Sequence, residues 1–515
     1  MNAADLAVFD ALFSSVAEEM GAALERAATS VNIKERRDLS CAVFDGEGAL
    51  VAQAAHIPVH LGAMPLSVRA ALERRPPGAG DVVLLNDPWC GGTHLPDLTA
   101  VARAGRFLVA NRAHHADVGG AWPGSLGLAR DVHGEGLRIP PVRIVKGGEI
   151  DRDLLDLFCA NVRNPLERRE DLVAQVETLR LGARRLAEIE ARVGVDAMLA
   201  AAAALRSASR AAALAVVRAL APGVHRFEDA MDDGWPVRVA LEARDEGLRV
   251  DFAGTHAQVD APLNANLAVT VSAVLYAFAL LLPRGTPLNE GVRDVILVHA
   301  PEGTLVNATY PAAVAGGNVE TSQRIVDVVL GALDRALPGK LPAASQGTMN
   351  NLTFGWGSAT YYETIAGGAG GAPGGAGPSA IHTHLTNTRN TPIEALENVA
   401  PVIVRRLAVA RGTGGAGLHR GGDGLEKEIE FLAPCIVSLL AERRRRGPYG
   451  FLGGGAGACG CDEITRSGET KPLPGRASFD ARPGDRLRIQ TPGGGGYGED
   501  TGSPVHHAVE ANSTP

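Results

Sequence analysis

DVVLLNDPWCGGTHLPDLTAVARAGRFLVANRAHHADV, residues 81–118, holds the densest chemistry in the chain. Two strand-like runs, DVVLLND and RFLVANRAHHADV, carry histidines and carboxylates at or just beyond their ends. Strand ends and adjoining loops are where a rigid scaffold exposes reactive groups. Imidazole with carboxylate suits a divalent transition metal, and an incomplete protein shell leaves room for water or substrate. His94 and Asp97, three apart in THLPD, would share one side of a helical turn. Alone, such a pair is equally an ordinary hydrogen-bonded pair; the downstream His114, His115 and Asp117 strengthen the metal reading. Neighbours on a strand point to opposite faces. One of His114 and His115 therefore faces the shared site and the other faces the core. His115 is the expected ligand, with His114 as its alternative.

Outward from this stretch, Asp38 stands just before an apolar strand, where an acid is a cap, a solvated residue or a further ligand. His60, in PVHLGAM, is a proton carrier or an ordinary buried histidine. Asn86 and Asp87 are placed to orient ligands from behind. His382 and His384, in IHTHLTNTRNTPIE, read at period two on one strand face, open to substrate, a second metal or an interface. GGNVETSQRIVD opens a helix after a Gly-Gly pair and is placed to offer backbone N–H groups to an anion. AERRRRGPYG reads as a solvated or interface loop, or as a seat for an acidic ligand. GGAGGAPGGAGP, residues 367–378, lacks the closing Gly-Lys-Ser/Thr of a phosphate loop and reads as a mobile loop.

Leu6, Phe9, Leu12, Phe13, Val16 and Met20 recur at helical spacing, so residues 3–29 read as an amphipathic helix. CAVFDGEGALVAQ reads as a hairpin, and HIPVHLGAMPLSVRAALERR as a loop entering a helix. Residues 165–220 read as long helices, and the chain from Gly223 as strands. A helix follows Pro262, another covers SQRIVDVVLGALDRAL, and 402–497 reads as β with many Gly-Gly turns. The regular alternation of a doubly wound sheet is missing. The expected class is α+β, with several domains of mixed sheets and helices. Its regions are 1–224 with the metal site and long helices, 225–400 central α/β, 401–500 β-rich, and a tail at 501–515.

The 515 residues, 45% apolar and 21% charged, can bury a sizeable core. A net charge of −8 leaves no basic excess to neutralise phosphates, which argues against nucleic acid as a partner. Six cysteines, at 41, 90, 159, 435, 459 and 461, form neither a zinc-knuckle spacing nor a secreted disulfide framework. The N-terminal segment has acids and no basic run of the signal-peptide kind, and no uncharged stretch reaches spanning length. No membrane role and a cytoplasmic location are expected.

RRDLSCAVFDGEGALVAQ, HIPVHLGAMPLSVRA, NDPWCGGTHLPDLT, RAHHADVGG, EGLRIPPV, GGNVETSQRIVD, SQGTMNN, IHTHLTNTRNTPIE, GGDGLEKEIEFL and RRRRGPYG follow one another in this order. Together, from Arg36 to Gly498, they resemble the hydantoinase B/oxoprolinase family. That family includes second subunits of ATP-dependent N-methylhydantoinases, C-terminal halves of 5-oxoprolinases and alpha subunits of acetone carboxylases. The resemblance implies a divalent metal, Zn2+ or Mn2+, on Asp38, His94, Asp97 and one of the paired histidines, His115 by preference. It also implies an actin-like, ATP-binding partner of the hydantoinase A type that phosphorylates the substrate carbonyl. The chain departs from the family's pattern at LGLARDVHGEGLRIPP, where a serine- and proline-rich stretch is usual and His133 is not.

The expected function is the metal-dependent subunit of an ATP-dependent cyclic amidase of the hydantoinase/5-oxoprolinase type, an enzyme working in a hetero-oligomer on a small cyclic amide. His60 or His114 would carry the proton to the leaving nitrogen. The alternative is a subunit of an ATP-dependent ketone carboxylase of the acetone carboxylase type, acting on a small ketone. The third reading is a non-catalytic scaffold for the ATPase.

Overall fold

The computed structural model describes residues 2–54 and 57–500. Its first sheet comprises β1 (Leu39–Asp45), β2 (Leu50–Gln53), β3 (Val82–Leu85), β4 (Asp97–Ala104), β5 (Phe107–His114), β6 (Val142–Lys146) and β7 (Glu149–Ile150). The strand order is β2-β1-β5-β4-β3-β6-β7. The β1–β2 hairpin closes because Asp45 Oδ1 accepts the backbone N–H groups of Glu47 and Ala49 at 3.0 and 2.8 Å. Strand β5 is buried along its whole length because both faces of the sheet are covered. Val109 packs in the core with helices Ala3–Ala27 and Pro165–Val193, while Leu108 and Ala110 pack with helix His60–Arg74. Helix Val195–Ala219 follows at Gly194. It is long and apolar enough to cross a membrane by length and composition, but it buries Met198, Ala201, Leu205, Ala213 and Val217 against the protein.

The second sheet holds β8 (Val224–Ala230), β9 (Pro236–Arg244), β10 (Gly247–Asp251) and β11 (Ile296–His299), ordered β11-β10-β9-β8. Helices Leu267–Ala279 and Ser322–Ala336 share one apolar core with it. The remaining strands are β12 (Asn351–Trp356), β13 (Ala359–Thr364), β14 (Val402–Ala410), β15 (Gly424–Phe431), β16 (Cys435–Leu440), β17 (Cys461–Arg466), β18 (Glu469–Leu473), β19 (Arg476–Ala481) and β20 (Arg486–Gln490). They form two sheets, ordered β13-β12-β16-β19 and β14-β15-β20-β17-β18. The class is α+β with several mixed sheets. The division expected near residue 400 does not separate the sheets. β12 pairs with β16 from Asn351↔Leu440 to Gly355↔Ile436, because Leu352, Phe354, Val437 and Leu439 bury into one core. The expected tail, 501–515, lies outside the described residues.

The glycine-rich run at 367–378 differs from a mobile loop. The Gly368 N–H donates to Pro492 O, that of Gly371 to Gly495 O, and that of Gly494 to Gly422 O. Chain segments therefore lie backbone against backbone, with no room for side chains between them. A Cβ on Gly494 would stand 2.0 Å from Ala369 O. Only glycine permits this approach. Gly494→Ala should lower unfolding free energy by about 1–3 kcal/mol, the usual cost of overpacking, read from the denaturant midpoint. Gly374→Ala, where an added Cβ meets nothing within 4 Å, should leave the midpoint unchanged or slightly raised.

Candidate metal centre

One end of the first sheet gathers the acid and imidazole groups. Asp38 precedes β1, Asp97 opens β4 and His114 closes β5. Asp97 and His114 are direct cross-strand partners, and the His114 N–H donates to Asp38 O at 3.0 Å. His94 enters from the turn before β4. That turn requires Gly91, at φ 83, since a Cβ there would stand 2.3 Å from Ser67 N. Asn86 braces the same turn, donating to Leu95 O at 2.7 Å and Leu137 O at 2.9 Å. Asn266 holds it from the second core, donating to Thr93 O at 2.6 Å. Asp87 accepts from Trp89 N at 3.0 Å and makes the tight bend between Asn86 and Gly91.

His94 Nε2 and His114 Nδ1 lie 3.2 Å apart, and each is 3.3 Å from Asp97 Oδ1. Asp38 Oδ2 is 4.0 Å from His114 Nδ1. Ligand atoms about 2.1 Å from a tetrahedral cation stand about 3.3 Å from one another, so His94, Asp97 and His114 fit one divalent ion. Two imidazole nitrogens and carboxylate oxygens suit Zn2+ or Mn2+. The second ring nitrogens, His94 Nδ1 and His114 Nε2, are buried without a partner. Asp38 is the most open of the four, its side chain 10% exposed against 1–2% for the others.

Asp97 carries the negative charge at the centre. Thr93 Oγ1 donates to its Oδ2, and His60 Nε2 lies 3.4 Å from the same oxygen. Ser40 Oγ in turn holds His60 Nδ1 at 2.8 Å. Burial pushes the Asp97 carboxyl up, but the field of His94 and hydrogen bonds from His114, His60 and His94 outweigh it and hold it well below the usual range. For Asp38, burial wins over His114 and Arg36 and raises the carboxyl. Burial likewise lowers His60 and His114, against the pull of Asp97.

His115 is not in this group, and the expectation that placed it there is corrected. The alternation of β5 sends it to the opposite face, where Nε2 meets Gln175 Oε1 at 2.9 Å. Gln175 Nε2 is already spent on Leu98 O and Asn111 Oδ1, so its oxygen accepts and His115 carries its proton at Nε2. Phe158 packs edge-on at 6.0 Å, and burial takes the imidazole down to about 4. Asp117 accepts from Gly119 N, Gly124 N and Arg163, and so shapes the following turn.

The cavity beside the cluster is closed by segments far away in sequence. Tyr362, from β13, stacks on His114 at 4.7 Å. Ile57, Val59, Val319, Met349 and Leu385 add apolar walls, and Asn318 adds a polar one. The space open to a water's centre is about 20 Å³, room for one or two waters. Arg36, fully buried, binds this wall to the first sheet by donating to Tyr362 O at 3.0 Å and Thr364 Oγ1 at 2.8 Å. Sequence reading missed Ser40, Thr93, Asn318 and Tyr362. The first three lie inside quoted motifs, whereas Tyr362 carries no local signal.

His382 and His384 do not share a strand face. His384 adopts φ 56 and stands 3.9 Å from Asp327, while His382 meets Asn390 Oδ1 at 3.1 Å. In GGNVET the Gly317 and Asn318 N–H groups donate to Pro262 O and Val314 O, so neither is offered to an anion. Of the four arginines, Arg443 pairs with Asp229 and Asp327 and Arg444 with Asp462; Arg445 and Arg446 are exposed. His133 is at the surface, 2.9 Å from the Tyr310 hydroxyl, and does not line the cavity.

The sequence signature of the family described as Hydantoinase B/oxoprolinase matches residues 2–500. A protein of Methanocaldococcus jannaschii is 38% identical, over 94% of this chain and 88% of its own. The 5-oxoprolinase 1 of Arabidopsis thaliana is also 38% identical, over 96% of this chain. The chain spans 42% of the length of that plant protein. The crystal structure of the ATP-dependent caprolactamase from Pseudomonas jessenii superposes with a TM-score of 0.90 at 25% identity, covering 97% of this chain and 91% of that one.

Burial takes His384 from 6.5 down to about 4. Its folded value lies below its unfolded one, so the unfolded chain takes the proton first as pH falls. Stability is retained above 6.5 and lost between 6.5 and 4. From pH 7 to pH 5 the wild type should lose about 2 kcal/mol more than His384→Gln, measured by urea unfolding at each pH.

Proposed function

The chain belongs to the hydantoinase B/oxoprolinase family, and on that premise we propose that it is the metal-dependent, ring-opening subunit of an ATP-dependent cyclic amidase. The observation that carries this reading is the buried convergence of Asp38, His94, Asp97 and His114. A divalent ion, Zn2+ or Mn2+, held by these side chains would acidify a water and polarise the substrate.

Activation falls to a separate actin-like, ATP-binding subunit of the hydantoinase A type. That assignment is supported by this chain's match to 42% of the plant oxoprolinase and by the lack of a nucleotide fingerprint in its sequence. The partner would transfer the γ-phosphoryl group of ATP to the amide oxygen and release the N–H proton, giving an imidate. Water then adds at the ring carbon, the carbon–nitrogen bond breaks and phosphate leaves. The balance is lactam, ATP and water in; ring-opened amino acid, ADP and phosphate out.

The chain's own residues divide this work. Thr93 fixes Asp97 Oδ2, which turns Oδ1 toward His94 and His114. Ser40 orients His60, and burial keeps that imidazole neutral. A neutral His60 takes a proton from the attacking water and delivers it to the leaving nitrogen. With its Nδ1 committed to the cluster, His114 serves as ligand and leaves the proton transfer to His60. The six described cysteines are all unpaired, in keeping with a hetero-oligomer in the reducing cytoplasm.

Copurified with its ATPase partner, the wild type should hold metal and consume ATP with hydantoin or 5-oxoproline. His114→Ala should weaken metal binding by more than ~100-fold, beyond the range of outer contacts, and abolish turnover. His115→Ala should keep the metal. Full activity in a metal-free His94→Ala or His114→Ala protein would overturn the ligand set. Bicarbonate-dependent consumption of a ketone, with no amide opened, would overturn the amidase.

A further inference from the structure

Outside the ligand cluster, most polar side chains lining the cavity are already engaged. The Tyr362 hydroxyl donates to Asn351 Oδ1 at 3.0 Å. The Thr364 and Thr386 hydroxyls meet Thr388 at 2.9 and 3.3 Å. Asn318 is the exception. It is 4% exposed, and its Oδ1 is the one buried polar side-chain atom without a partner among the described lining residues apart from the histidines.

Its backbone, by contrast, is fixed on every side. Asn318 N–H donates to Val314 O at 3.3 Å, and Asn318 O accepts from Ser322 Oγ at 2.6 Å. The residue lies in a wide π turn, Gly317–Thr321, that runs directly into helix Ser322–Ala336. Such turns spread the helical ladder and recur at functional sites. Two residues on, buried Glu320 accepts from Met349 N at 3.0 Å and Asn351 Nδ2 at 2.7 Å. The turn is thereby tied to Met349, another wall of the cavity. A carboxamide held this rigidly, enclosed and unmatched, is costly unless a ligand completes it.

We propose that Asn318 is the substrate-binding residue that grips the nitrogen edge of a ring amide, an inference that rests on the cyclic-amidase reading. The chemistry matches both forms of such a substrate. Before activation the ring nitrogen bears an N–H, which Oδ1 accepts. In the O-phosphorylated imidate the same nitrogen is a bare acceptor, which Nδ2 reaches when the carboxamide turns over. No charged group is needed for either contact. The apolar neighbours Val319, Met349 and Leu385 enclose the hydrocarbon part of a compact ring, and flexible Met349 is the wall most able to yield as it enters.

The test uses the complex with its ATPase and a simple lactam, with metal content, melting temperature and steady-state kinetics read together. Asn318→Leu removes both hydrogen-bonding atoms at nearly constant volume. It should raise KM and lower kcat/KM by about 10- to 100-fold, with metal content and melting temperature unchanged. Asn318→Ser carries the same expectation should the leucine variant not fold. Loss of metal in step with activity would assign a structural role and overturn the proposal. So would a KM within about twofold of wild type in both variants while the wild type opens the lactam. A wild-type complex that opens no cyclic amide removes the amidase reading, and this assignment with it.

Discussion

A single buried carboxylate sets the terms for the rest of the site. Asp97 is 1% exposed, and an ionised acid at that depth needs compensation on every lone pair. The chain supplies it from four directions: the Thr93 hydroxyl, His60, His94 and His114. None of these contacts is available to a strand by itself. Asp97 can meet His114 because β4 and β5 pair antiparallel in a register that sets the two residues opposite each other. It can meet His94 because two glycines let the preceding turn fold back against helix His60–Arg74. Shifting that register by one residue would put His115 in the cluster and leave the Asp97 charge uncompensated.

The same constraint explains why the chain does not fall apart into separate modules at the site. The cluster belongs to the first sheet, but its cavity is finished by β13, by the π turn before helix Ser322–Ala336, and by the segment around Leu385. Long-range polar contacts hold these pieces in place. Arg36 reaches from the start of β1 to Tyr362 and Thr364, and Asn266 reaches from the helical core to Thr93. Each is a buried group that must find its partners across a boundary, so each couples the position of a wall to the position of the ligands. The interlocked glycine segments give the C-terminal sheets a rigid base of backbone packed on backbone.

Much of this was legible in advance. The helical periodicity of residues 3–29 and 165–220, the Asp45-Gly46 hairpin and the β character after Gly223 are local signals, and all appear as elements. Asp38, His94 and Asp97 were legible as a group because they stand at strand ends within recurring motifs. Where reading by eye failed, the missing information was spatial. The glycine run looks flexible in isolation and is locked only by partners at 422, 492 and 495. The period of His382 and His384 suggests a strand, yet the positive φ of His384 interrupts it. Four consecutive arginines look solvated until Asp229, Asp327 and Asp462 arrive from other elements.

The paired histidines show the limit most plainly. By itself the sequence determined the α+β class, the family, the clustering of acid and imidazole at one place, and the rule that only one of His114 and His115 can face it. That much follows from composition, motif order and the two-residue period of a strand. Which face is which was decided only in the tertiary structure. A strand's alternation is symmetric until a sheet neighbour, a helix on one side and a cluster on the other give its two faces different surroundings, and here Gln175 claims one imidazole and Asp97 the other.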